Sequence, residues 1–287
     1  MDLLLSPFSG GPEFHRALAA AIAISVAGAP LGVFLVLRRM SLSGDVYTHT
    51  LLPGVAVAFL LVGESATALI VGGLVSGLVV ACLSALVARI TLLREDASLA
   101  AFYMISLAVG MILLAGDDHA EELLHVLFGN AFAIDGTSLL VISSVSTATL
   151  IALAFVWRAL VMESYDSAFF ASVGGGGTAI HMAFIVLIIL NLVIGATALG
   201  TIMAVGLMTI PGASARFWSR DLGMMMAIAI LVALTSSFSG LVSAAYLDLP
   251  PGPAIILFAG TFYLVSIVFG RFGGLILRFG KRSHLQS

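Results

Sequence analysis

The sequence predicts an all-α polytopic membrane protein with eight or nine transmembrane helices, and three observations carry that reading. Charged residues make up 9% of the 287-residue chain and hydrophobic residues 61%, whereas a soluble domain is about one-quarter charged. Mean hydropathy is +1.18. The apolar runs approach the ~20 residues that carry a helix across a bilayer, and they are too long for the ~10-residue strands of a barrel. A soluble globular domain is thereby excluded. The single cysteine, Cys82, rules out an internal disulfide and a thiolate-rich metal site. Met1 and Asp2 begin without a basic stretch or cleavage site, so no removable leader is expected.

The apolar segments run approximately 14–37, 46–62, 66–90, 97–115, 137–160, 179–199, 202–217, 222–249 and 253–269. They form one transmembrane domain over residues 1–287, with a cytoplasmic loop at about 163–177 and a cytoplasmic tail at 271–287. The segment 222–249 exceeds a straight span, so a tilt or a break near Ser236–Gly240 is expected. Segment 202–217 is short and holds Pro211-Gly212, which suggests a broken or re-entrant helix. With nine crossings, Arg38/Arg39, Arg89/Arg94, Arg158, Arg216/Arg220 and the basic C-terminal residues share one side. The positive-inside rule makes that side cytoplasmic and puts the N-terminus outside. Leu52–Phe59 echoes Ile210–Phe217 at Pro, Gly and Phe, an arrangement that points towards a binding site when it recurs in two halves.

Polar chemistry concentrates after the first segment. Asp45 and His49 are four apart, so a helix projects both from one face. Pro53 has no N–H, which frees the carbonyl four residues back. A carboxylate, an imidazole and a freed carbonyl are all donors to a divalent cation, and ionisable groups inside an apolar segment mark an ion or substrate pathway. The competing reading makes Asp45 a helix cap and His49 a packed histidine. Glu64, Asp117, Asp118 and His119 are secondary candidates at the opposite mouth, where the acidic run 117–122 is either a cation funnel or a solvated loop.

Five segments, in order, resemble the permease family of bacterial zinc/manganese ABC importers. RRMSLSGDVYTHTLLPGVAVAFLL (38–61) is similar to its RRxS-x-x-GD-x-x-x-H-x-x-LPG-x-A segment. LLHVLFGN (123–130), ESYDSAFFASVG (163–174), TIMAVGLMTIPGASARFW (201–218) and AAYLDLPPGPAIIL (244–257) follow. Gly212 stands for an alanine of the pattern, Pro251 for a serine, and Gly174–Gly177 carry more glycine than it requires. The resemblance implies a permease fold acting as a homodimer in the bacterial inner membrane, partnered by a cytoplasmic ABC ATPase dimer and an extracytoplasmic metal-binding protein. It implies transported Zn²⁺ or Mn²⁺, with no permanently bound cofactor. Asp45 and His49 fall on the ion pathway, and Tyr165, Asp166, Phe169, Phe170, Ala171 and Gly174 on the ATPase-coupling loop. Pro53, Gly54, Pro211 and Gly212 would be helix breaks. The chain has no GxxxxGK[ST] loop, so it is not expected to be an enzyme. Alternatives are an importer of iron or a metal chelate, or an ion-coupled secondary transporter.

Overall fold

The computed structural model describes residues 12–63, 65–93, 95–114, 131–247 and 249–276. Among these, all regular structure is helical. Helix α1 spans Pro12–Leu37; α2, Ser43–Thr50; α3, Leu52–Val62; α4, Ala66–Ile90; and α5, Glu95–Leu114. A 3₁₀ turn at Ala131–Ala133 precedes α6, Gly136–Tyr165. Then come α7, Ser167–Ser172; α8, Gly177–Leu199; α9, Thr201–Arg216; α10, Leu222–Leu247; and α11, Pro251–Phe269. Eight stretches, α2 with α3 counting as one, are long and apolar enough to cross a membrane.

The sixteen-residue α9 is not among those eight, yet its ends lie at opposite ends of the bundle. Near its start, Ala204 packs on Gly195 close to the end of α8. Past its last turn, Phe217 accepts a 2.8 Å bond from the N–H of Phe272, beyond α11. The Trp218 indole donates to Ser266 at 2.8 Å. The ends of α1, α6, α9 and α11 and the start of α8 thus gather at the arginine-bearing end.

Helices α1 and α8 are buried along most of their length, while α4, α5, α6 and α11 turn most of their surface outward. The outward faces stay apolar, as in the α4 stripe Val71, Val75, Val79, Leu83 and Leu86. Hydrocarbon solvates such a stripe as well as a core would, so helix association rests on close packing of small residues. Helix α1 supplies Ala17, Ala20, Ala21, Gly28 and Gly32 to buried contacts.

One expected interruption is absent, and of the two alternatives for residues 222–249 the break does not occur. Helix α9 is short but continuous through Pro211 and Gly212. Proline costs only one backbone bond, and packed neighbours inside a bundle hold the remaining turns in register. Gly212 serves close approach instead, because a Cβ there would lie 2.7 Å from the Gly32 carbonyl carbon of α1. Helix α10 likewise runs unbroken past Ser236–Gly240, with Ser237 paired to Ser25 at 3.0 Å and Gly240 against Ile255. Pro53 differs: the helix stops at Thr50 and restarts at Leu52.

Gly54 belongs to a second tight crossing. A Cβ on Gly72 would overlap the Gly54 carbonyl, and one on Gly54 would overlap that of Gly72. The echo between residues 52–59 and 210–217 therefore has a shared structural use, a glycine where two backbones touch. Gly72→Val forces α3 and α4 apart, beyond the ~1–3 kcal/mol of ordinary overpacking. We expect loss of monodisperse protein in detergent, seen as an aggregated gel-filtration profile; a wild-type profile and melting point contradict the crossing.

Candidate metal pathway

Helix α2 forms in a chain that has just turned out of α1. Arg39 takes a left-handed backbone, φ 60°, and Met40 N–H returns to the Leu35 carbonyl at 2.8 Å. The eight residues of α2 then divide by face. Ser43, Gly44, Tyr47, Thr48 and Thr50 are buried, with Gly44 close to Met208 and Thr209 of α9. Asp45 is exposed and His49 half-buried, so the two candidate ligands occupy the unburied side.

Asp45 is not a helix cap. It is the third residue of α2, where Leu42 holds the cap position without a side-chain bond. Among the described residues its carboxylate has no hydrogen-bond partner; only its backbone carbonyl is used, by the Thr48 hydroxyl at 2.6 Å. A carboxylate in the first turn is favoured by the helix dipole, which still leaves both oxygens available. His49 lies against Tyr103 of α5, ring centroids 5.6 Å apart and planes tilted by 40°. The sequence reading missed Tyr103, because nothing in the apolar run 97–115 marks it as a neighbour of His49.

The break beneath this pair is held from outside. Thr50 ends α2, and its carbonyl accepts from the Ser76 hydroxyl of α4 at 2.7 Å and the Ser106 hydroxyl of α5 at 3.3 Å. Bonds of this kind inside a membrane contribute about 0.6 kcal/mol each. The expected spare carbonyl, that of His49, faces the Leu51 N–H at the helix end. Ser76 and Ser106 both lie near the middle of their helices, so the break sits at mid-height of the bundle, with His49 just before it and Asp45 one turn nearer the arginine-bearing end.

The described residues contain no cluster of three or more His, Cys, Asp or Glu side chains able to hold a metal. Asp45 and His49 are an open pair, short of the four to six donors that Zn²⁺ or Mn²⁺ takes. Glu64, Asp117, Asp118 and His119 lie outside the described residues, as does the segment 123–130. Asp135, beyond them, caps α6 by accepting the Ser138 N–H at 2.8 Å. Hydrogen bonds from the Ser138 side chain and N–H hold its carboxyl below the ordinary range.

At the arginine end, α6 runs thirty residues, about 45 Å, and outlasts a ~30 Å hydrocarbon core. After Tyr165 the chain breaks and α7 begins. Asp166 caps it, accepting the Phe169 N–H at 2.8 Å. Gly174, at φ 77°, and a Gly175 N–H bond to the Phe170 carbonyl end the turn. Phe170 is buried, whereas Tyr165, Phe169 and Val173 are at least 60% exposed. Three large apolar side chains thus flank a six-residue helix at the bundle's end.

The ABC 3 transport family matches residues 12–270, nine-tenths of the chain. The chain belongs to this family. It is 31% identical over 263 residues to the "Zinc transport system membrane protein TroC" of Treponema pallidum, covering 89% of this chain and 88% of that one. The "Manganese import system permease protein ScaB" of Streptococcus parasanguinis is 30% identical over 260 residues, covering 90% and 91%. A solved structure, "PsaBC from Streptococcus pneumoniae in complex with Fab", contains a chain 27% identical to this one. The two superpose with a TM-score of 0.85 over 98% and 99% of their lengths. This ABC 3 chain is a multi-pass membrane permease, and its fold is that of an ABC permease.

Proposed function

We propose that this ABC 3 permease is the transmembrane subunit of an ATP-driven importer of divalent metal ions, Zn²⁺ or Mn²⁺. The observation that carries the reading is the open Asp45–His49 pair on the unburied side of α2, beside a broken helix and given no third ligand by the described residues. A carboxylate within an apolar segment is costly unless it faces water or a cation, and a passing dication offsets part of the cost. Carboxylate plus imidazole accepts either metal. A pair is also too few for a tight cage, which suits an ion that must leave again.

The missing donors come from water and from a second copy of the chain across a homodimer axis. An extracytoplasmic binding protein delivers the ion, and a cytoplasmic ABC ATPase dimer grips the exposed side chains around α7. The arginine-bearing ends of α1, α6, α9 and α11 face the cytoplasm of a bacterial inner membrane, which places the C-terminus inside. ATP-driven closure of the ATPases shifts α7, and the chain yields at Leu51, where it is already interrupted.

The test is reconstitution in liposomes with the ATPase and binding protein, following radioactive Mn²⁺ and Zn²⁺. Uptake that requires both ATP and the binding protein is expected. Metal flux through the purified permease without an ATPase would make it a secondary carrier. Uptake of an iron chelate but of neither free ion would reassign the cargo.

A further inference from the structure

Among the described residues, Arg38 is the arginine held in an ion pair. Arg38 directly follows α1, yet its side chain is only 9% exposed. Its Nη2 donates to Glu163 Oε2 at 2.6 Å, and its Nε to the Ser164 hydroxyl at 3.0 Å. That hydroxyl in turn donates to the Leu160 carbonyl at 2.6 Å, so its oxygen lone pair is turned towards the guanidinium. Nη1 lies 3.3 Å from His181 Nδ1, and the guanidinium carbon sits 4.7 Å from the centroid of the Phe184 ring. All three nitrogens of the group and one of its faces are engaged.

The partners bracket α7. Glu163 and Ser164 belong to the last turn of α6, just before it, and His181 and Phe184 to the first turns of α8, just after it. On its own strand of chain Arg38 leads, through the left-handed Arg39, into the helix that carries Asp45 and His49. Both stems of the surface helix and the root of the ligand-bearing helix therefore meet at one planar, five-donor cation, a group that fixes relative orientation as a flexible ammonium cannot. A half-open groove of about 450 Å³ bordered by Cys82, Leu86, Thr178 and His181 lies between α4 and the start of α8.

We propose that Arg38 is a positioning residue that transmits displacement of α7 to the Asp45–His49 segment, through its bonds to Glu163, Ser164 and His181. The inference rests on reading α7 as the ATPase contact and Asp45–His49 as the ion contact. Without the guanidinium, α6 and α8 move with the ATPase while α2 stays behind. ATP is then spent without cargo.

The experiment uses the complete importer in liposomes and measures metal transported per ATP hydrolysed. Arg38→Gln is expected to keep the ATPase bound and hydrolysis within about twofold of wild type, while the transport ratio falls at least tenfold. Arg38→Lys keeps the charge and loses the fork, and should recover part of the ratio. Should Arg38→Gln fail to assemble, Glu163→Gln removes the ion pair with little change of shape and should lower the ratio alone. An unchanged ratio in these variants overturns the inference, as does a proportional loss of transport and hydrolysis, which marks a merely structural ion pair. A wild-type complex that couples no transport to ATP would instead strike at the functional reading beneath it.

Discussion

Asp45→Ala abolishes metal uptake and leaves the importer assembled. The two halves of this expectation have separate grounds. Asp45 is exposed and its carboxylate bonds to no described residue, so its removal costs the fold no more than ~0.5 kcal/mol, as for an ordinary surface substitution. Removing residues that merely orient a metal ligand costs about 10–100-fold in affinity, and losing one of two direct ligands costs at least the upper figure. His49→Ala gives the same loss of uptake, with an added ~0.5–1.5 kcal/mol from the Tyr103 ring contact. Uptake at varied metal concentration, read beside co-purification of the ATPase, decides the matter. Uptake within twofold of wild type in both variants removes the proposed site.

Phe169→Asp gives the opposite pattern. The side chain is 60% exposed beside Tyr165 and Val173, so a partner covering it desolvates three apolar groups together. Exposed aromatics at the centre of an interface typically contribute 2 kcal/mol or more, about a 30-fold change in affinity, and a carboxylate there adds its own desolvation cost. The ATPase should no longer co-purify, although the permease is made, inserted and monodisperse. Phe170→Ala serves as the contrast. Phe170 is buried beneath the same helix against Gly175, so its loss loosens the seat of α7 and lowers stability as well as binding. A Phe169→Asp permease that still holds and stimulates its ATPase would move the docking surface elsewhere.

Comparison of the two sites shows what a linear chain can disclose. Helix α2 was legible because its chemistry is local. An acid and a histidine at helical spacing in an apolar run stand out whatever surrounds them, and Pro53 lies one turn further on. The segment 163–174 was legible as a loop element through its motif and its glycines, while the short helix within it, 167–172, is seen in the structure. Tyr103, Ser76 and Ser106 left no such mark. A tyrosine or serine in a transmembrane run is ordinary, and only packing gives it His49 or the Thr50 carbonyl as a partner. Pro211 misled for the complementary reason. Proline removes one donor wherever it occurs, but whether the helix then breaks depends on the neighbours that clamp it.

From sequence alone came the all-helical membrane fold, the positions of the nine apolar segments, the grouping of the arginines, and Asp45 with His49 as candidate ligands. Each of these follows from the cost of putting a residue type into hydrocarbon, and that cost is paid residue by residue along the chain. Tertiary structure alone decided which proline interrupts a helix, which serines hold the break, and that Arg38 meets Glu163 and His181, 125 and 143 positions away. Partners of that kind are chosen by how helices cross. The crossings are set by small residues such as Gly32, Gly54, Gly72 and Gly212, whose contacts form only once the bundle closes.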